Sequence, residues 1–131
     1  MRKRNVFETD TSHSRDGVGL NASLMNPHQL VADSKGVIYL VDFNAVRKIN
    51  PQHKVTTIAT VSGSFLCNCD QSKRKEKGTY VLPGIAVDEE GGLVYFSDSD
   101  NSVIWKMTTE GENLEIMAGQ KSKVSFLIHL K

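Results

Sequence analysis

The sequence predicts an all-β fold of four-stranded antiparallel meanders, each a blade of a β-propeller. Three observations carry this. One order of strand and turn signals runs twice through the 131 residues; Gly, Asn and Asp separate its short apolar segments; and apolar content falls from the early strands of each run to the late ones. Apolar residues at 39% and charged residues at 24% belong to folded chains rather than disordered ones. The chain is long enough for one ordinary core.

The first copy opens at Pro27. Leu-Val-Ala-Asp at 30–33 reads as a strand ending in Asp, and Ser-Lys-Gly at 34–36 as a turn. Val-Ile-Tyr-Leu-Val-Asp at 37–42 is a second strand, Phe43 and Asn44 a second turn, and Ala-Val-Arg-Lys-Ile at 45–49 a third strand. Lys-Val-Thr-Thr-Ile-Ala at 54–59 supplies the fourth. The second copy repeats the plan from Pro83. Its strands fall at 84–88, 93–98, 102–107 and 113–118, with Gly91 and Gly92 in the first turn and Ser99, Asp100 and Asn101 in the second. Turns this short join antiparallel neighbours, because parallel pairing needs a long crossover.

Segments 30–32 and 37–41 are apolar on both alternating faces, whereas 46–49 and 54–58 mix polar residues in. Inner strands are therefore expected to be sandwiched and outer ones partly wet, the gradient of meanders stacked around an axis. A single two-sheet sandwich would alternate more cleanly.

The organisation expected is as follows. Residues 1–15 form an N-terminal segment able to supply the last strand of a preceding blade. Residues 16–60 are the first blade with its connector, 61–80 an inserted loop, 81–119 the second blade and 120–131 a tail. Pro27 and Pro83 lie 56 positions apart, more than the roughly 40–45 of a propeller repeat. The excess falls in 61–80, whose small, polar and basic residues read as a surface excursion.

These residues resemble the NHL repeat, with its Pro-x-Gly-Leu-Ala-Val-Asp strand, Gly turn, Tyr-Val-x-Asp strand and Ile-Arg-Lys-Ile strand. Leu-Val-Ala-Asp at 30–33, Ile-Tyr-Leu-Val-Asp at 38–42 and Val-Arg-Lys-Ile at 46–49 carry the match. Upstream, Asp16, Gly17, Gly19, Ala22 and Pro27 are similar to the Asp-Gly-x-Gly-x-x-Ala connector between blades in one branch of that family. Leu24 stands where the connector has an aromatic residue, and His28 and Gln29 replace a small residue and Gly. The second copy also resembles the Tyr-Trp-Thr-Asp repeats of lipoprotein-receptor propellers, through residues 94–98 and 104–111. The resemblance implies a ring of about six blades, so two blades form an incomplete ring. The chain is accordingly expected to be a fragment or to assemble with further blades.

The preferred function is a noncatalytic protein-interaction module, without cofactor or metal. Phe43, Asn44, Ser99, Asp100 and Asn101 are its candidate partner-binding residues, because rigid scaffolds present variable turns to partners. Phe43, lying in a turn, is expected to be an exposed aromatic. The resemblance also implies two rivals: a metal-dependent lyase or lactone hydrolase whose site needs other blades, and an RNA-binding propeller. Sixteen Lys and Arg against 15 Asp and Glu give a net charge of +1, which argues against nucleic acid and anionic lipid as partners.

Asp33, Asp42, Asp88 and Asp98 recur at equivalent strand ends, the pattern of turn chemistry rather than of a catalytic pair. Cys67 and Cys69 sit too close for a usual zinc pair and lack companions. The basic run at 73–77 has no aromatic platform beside it, which favours a solvated loop. His28 opens an inner strand without a counterpart in the second copy, where Gly84 stands. No apolar run approaches the roughly 20 residues of a membrane span. Residues 1–8 lack the apolar core of a signal peptide. With only two cysteines, an intracellular location is the expectation.

Overall fold

The computed structural model describes residues 14–61 and 82–120. The expectations for the first 13 residues, for the loop bearing Cys67 and Cys69, and for the tail past 120 fall outside the described residues.

The described residues form two antiparallel sheets. The first contains β1 (Gly17–Val18), β2 (Pro27–Ala32), β3 (Ile38–Asp42), β4 (Ala45–Ile49) and β5 (Lys54–Thr60), in the order β1-β5-β4-β3-β2. The second contains β6 (Ile85–Asp88), β7 (Leu93–Asp98), β8 (Val103–Thr108) and β9 (Glu115–Gly119), in sequence order. The first sheet thus has one strand more than the meander predicts, because the connector folds back along β5 with Gly17 opposite Val55.

The turns follow from their residues. Asp33 Oδ1 accepts the Lys35 and Val37 N–H groups, each at 2.9 Å, and so closes the β2–β3 turn around Gly36 at φ 87°. Asp88 Oδ1 accepts the Gly91 N–H at 3.0 Å in the matching turn. Asn50 Oδ1 does the same for Gln52 and Lys54 between β4 and β5. Pairing shifts by a bulge between Val46 and Arg47 in one sheet and between Ile104 and Trp105 in the other. The two sheets therefore share this bulge at equivalent positions of their third and fourth strands.

One apolar core joins the sheets. Tyr39, Val41 and Val46 of the first share it with Val94, Phe96 and Met107 of the second, together with Val61 and Leu82. Polar contacts fix the stacking. The Ser34 N–H and hydroxyl donate to the Glu89 carboxylate, so the two first turns sit at the same end. At that end Lys48 Nζ donates to the Thr109 carbonyl at 3.0 Å and to Glu110 at 3.1 Å. Gly111, at φ 84°, lies so close to the first sheet that a Cβ would fall inside the contact radius of the Ile58 carbonyl oxygen.

Burial departs from the expected gradient. The second and third strands of the first sheet are the buried ones, and β2 is largely exposed. The reason is topological: β2 and β6 are edge strands, while β3 and β4 have strands on both sides and carry Tyr39, Val41 and Val46 into the shared core. β9 is exposed throughout.

Candidate functional site

The carboxylates that close the second strands are structural hubs. Asp42, 1% exposed, accepts the Met25 N–H at 2.9 Å and that of Asn26, and it pairs with Arg47 Nη1 at 2.7 Å. Arg47 is fully buried. Its Nη2 reaches Asp16 Oδ1 and the Arg15 carbonyl, both at 3.2 Å. Asp16 in turn accepts the Thr57 N–H and hydroxyl. One guanidinium therefore ties the connector, β3 and β5 together. Gly17 beside it has no room for a side chain, since a Cβ would stand 2.9 Å from the Asn21 carbonyl oxygen.

Asp98 holds the equivalent place in the second sheet. It accepts the Asn101 N–H at 3.1 Å, the Asn101 side-chain amide at 2.6 Å and Trp105 Nε1 at 3.0 Å. Arg47 lies opposite Leu40 and Trp105 opposite Phe96, each two residues before its Asp. Arginine and tryptophan thus perform one task with different donors, and the Trp105 ring also stacks on Phe96 at 6.3 Å. Sequence reasoning recognised the Asp residues as turn formers but missed these partners. The signal was an N–H-bearing side chain at one fixed cross-strand position in both copies.

The candidate partner-binding residues fall at the end opposite the Ser34 and Glu89 turns. Phe43 corrects the expectation of an exposed aromatic: it is half-buried and packs on the core. Its φ of 61° turns it inward, in the first position of a two-residue connection where glycine is usual. Its carbonyl accepts the Leu82 N–H at 2.9 Å and its own N–H donates to Asn26. Asn44 is half-buried, its amide donating to the Val61 carbonyl at 2.9 Å. Asn101 is 1% exposed and spent on Asp98, so it offers no surface. Ser99 and Ser102 are exposed and Asp100 is half-buried. A shallow depression of about 270 Å³ opens beside them, lined by Ser97, Ser99, Val103, Ile104 and Ala118 among others.

His28 is exposed, in the stretch of β2 where pairing with β3 shifts register. Among the described residues, no three His, Cys, Asp or Glu side chains converge as a metal site, and no helix is long and apolar enough to cross a membrane.

Two sheets with matching hubs and bulges, stacked with their turns co-oriented, define consecutive blades of a propeller-type repeat module. The chain belongs to the NHL-repeat family: the family model for the teneurin NHL domain matches residues 5–122. It is also similar to the NHL repeat-containing protein 2 of Homo sapiens, 29% identical over 106 residues, and to that of Gallus gallus, 27% identical over 106 residues. Each alignment covers 78% of this chain, which spans 14% of the relative's length.

Proposed function

We propose that the chain is a noncatalytic protein-interaction module, and that it meets its partner at the blade end bearing the β3–β4 and β7–β8 turns. One observation carries this reading: at that end the scaffold residues are locked inward while neighbouring polar groups stay outside. Asp98 and Asn101 hold the second turn from within, leaving Ser99 and Ser102 at the surface. Phe43 anchors the β3–β4 turn in the core, and Met25 stands 41% exposed beside it, on the segment that Asp42 holds. Such a rim binds by surface complementarity, with little ordering cost because its turns are already fixed.

The test places a photo-crosslinking residue at Ser99 or, as control, at Lys35 on the opposite end, in the full chain. A discrete cross-linked protein from position 99 alone, lost when Ser102 is replaced by arginine, is the expected result. Equal labelling from both positions, or cross-links unaffected by Ser102→Arg, would refute it.

A further inference from the structure

The connector ahead of the first blade carries an exposed point on the outer edge of the sheet. β1 is the outermost strand there, with Val18 opposite Lys54. Gly19, at φ 58°, then starts a single 3-10 turn, Gly19–Asn21, and its N–H donates to the His53 carbonyl at 2.9 Å. At Ala22 the backbone is extended again, with φ −92° and ψ 158°. Arg15 and Ser23 exchange backbone hydrogen bonds at 3.0 and 2.9 Å, and Arg15 Nε donates to the Asn21 carbonyl at 3.1 Å. The loop is thus held through its backbone, which leaves its side chains outside.

Two of those side chains are apolar. Leu20 is 85% exposed, more than any other large apolar side chain among the described residues, and Val18 is 52% exposed. Asn21 beside them is exposed, and its side-chain amide bonds to no described residue. Asn21, Ala22 and Ser23 also form the one Asn-x-Ser/Thr triplet of the chain. Such a triplet accepts an N-linked glycan where its middle residue is not proline and its asparagine reaches the surface. The surroundings leave room for one. Asn21 sits beyond the start of β5, at the end opposite Ser99 and Ser102, and outside the core that joins the two sheets. A branched sugar there would cover Val18 and Leu20 and fence the free edge of β1, where unpaired backbone groups invite another chain.

We propose that Asn21 is the acceptor of an N-linked glycan, transferred from a lipid-pyrophosphate-linked oligosaccharide, and that this glycan shields the apolar point made by Val18 and Leu20. In the transfer, Asn21 Nδ2 bonds to the anomeric carbon of the first sugar. The bond from that carbon to the pyrophosphate oxygen breaks, the lipid pyrophosphate leaves with the electron pair, and one amide proton passes to a base of the transferase. In the folded chain Ser23 is half-buried, with its backbone bonded to Arg15 and to Arg47 Nη1. The transferase therefore meets the triplet before the connector folds along β5, and the fold then keeps Asn21 outside. The proposal sets the chain in the lumen of the secretory pathway, in place of the intracellular location that its two cysteines suggest. It does not depend on the binding role of the rim.

The test takes the full chain from the cells that make it and treats it with an amide-cleaving N-glycosidase in heavy-oxygen water. Trypsin then releases residues 16–35 as one peptide for mass spectrometry. A labelled aspartate at position 21 in most copies, absent when the glycosidase is omitted, is the expected result; a peptide found only with unmodified asparagine overturns the proposal. Ser23→Thr keeps the hydroxyl and should keep the glycan, whereas Ser23→Ala should lose it while still unfolding cooperatively in urea. A glycan that persists in Ser23→Ala overturns the assignment to this triplet. Shielding is read on the folded protein by hydrophobic-interaction chromatography. Removing the glycan should lengthen the retention of the chain more than that of Leu20→Ser, and equal shifts in the two overturn the shielding role.

Discussion

Removing the Asp42 carboxylate should cost far more than removing the Arg47 guanidinium, although the two form one ion pair. Asp42→Ala strands a fully buried guanidinium whose Nε already lacks a partner among the described residues, and it leaves only the half-exposed Asp16 as counter-charge. It also frees the Met25 and Asn26 N–H groups that tie down the connector. Losing one member of a buried pair costs about 3–5 kcal/mol, and this variant belongs at the upper end. Arg47→Met leaves Asp42 with both backbone donors, so its cost should be about 1–3 kcal/mol, the penalty of an incompletely satisfied polar group. Arg47→Trp should recover part of that loss, since Trp105 serves Asp98 in the same way from the matching position. Urea titrations followed by circular dichroism, with the double variant closing the cycle, measure these differences. Equal costs for the two single variants, or a loss below about 1 kcal/mol for Asp42→Ala, would refute the view of Asp42 as a hub.

Other consequences are as direct. Gly111→Ala should destabilise the chain by about 2 kcal/mol or more by forcing the blades apart and straining a left-handed residue, seen as a lowered urea midpoint. Phe43→Gly relieves a positive φ but removes a ring packed on the core. It should therefore still destabilise, yet by about 1 kcal/mol less than Phe43→Ala, which loses the ring and keeps the strain. Burial, then the Asp33 charge, raises the Tyr39 phenol above its ordinary value, against a hydrogen bond with Thr109 that lowers it. The unfolded chain therefore loses that proton first. The stability tied to neutral Tyr39 is fully present below the unfolded tyrosine value of about 10 and is lost as pH rises through the folded one. An alkaline unfolding series on the chain and on Tyr39→Phe should show a shallower decline in the variant.

Much of the fold is legible in the sequence because its determinants are local. Asp33 and Gly36 make a turn from residues three apart, and the second copy makes the corresponding turn with Asp88, Gly91 and Gly92. Short apolar segments between such turns leave a meander as the solution, and repetition requires stacking. The Asp-Gly pair at 16 and 17 was readable as a connector, but its role as a fifth strand along β5 depends on contacts with residues 54–57, which no local pattern encodes.

The candidate rim was less legible for the same reason. Phe43 and Asn101 sit in turns, and turns read as surface. Which way a turn side chain points is decided by backbone sign and by space: φ 61° swings Phe43 onto the core that Val61 and Leu82 complete, and Asp98 draws Asn101 inside. The sequence by itself determined the strands, the turns and the repeat, since these follow from short apolar runs and short-range hydrogen bonding at the Asp, Asn and Gly positions between them. Only the tertiary structure decided that one buried arginine and one tryptophan do the same work. It alone also set a glycine as the spacer between blades, because that depends on what the neighbouring sheet brings within reach.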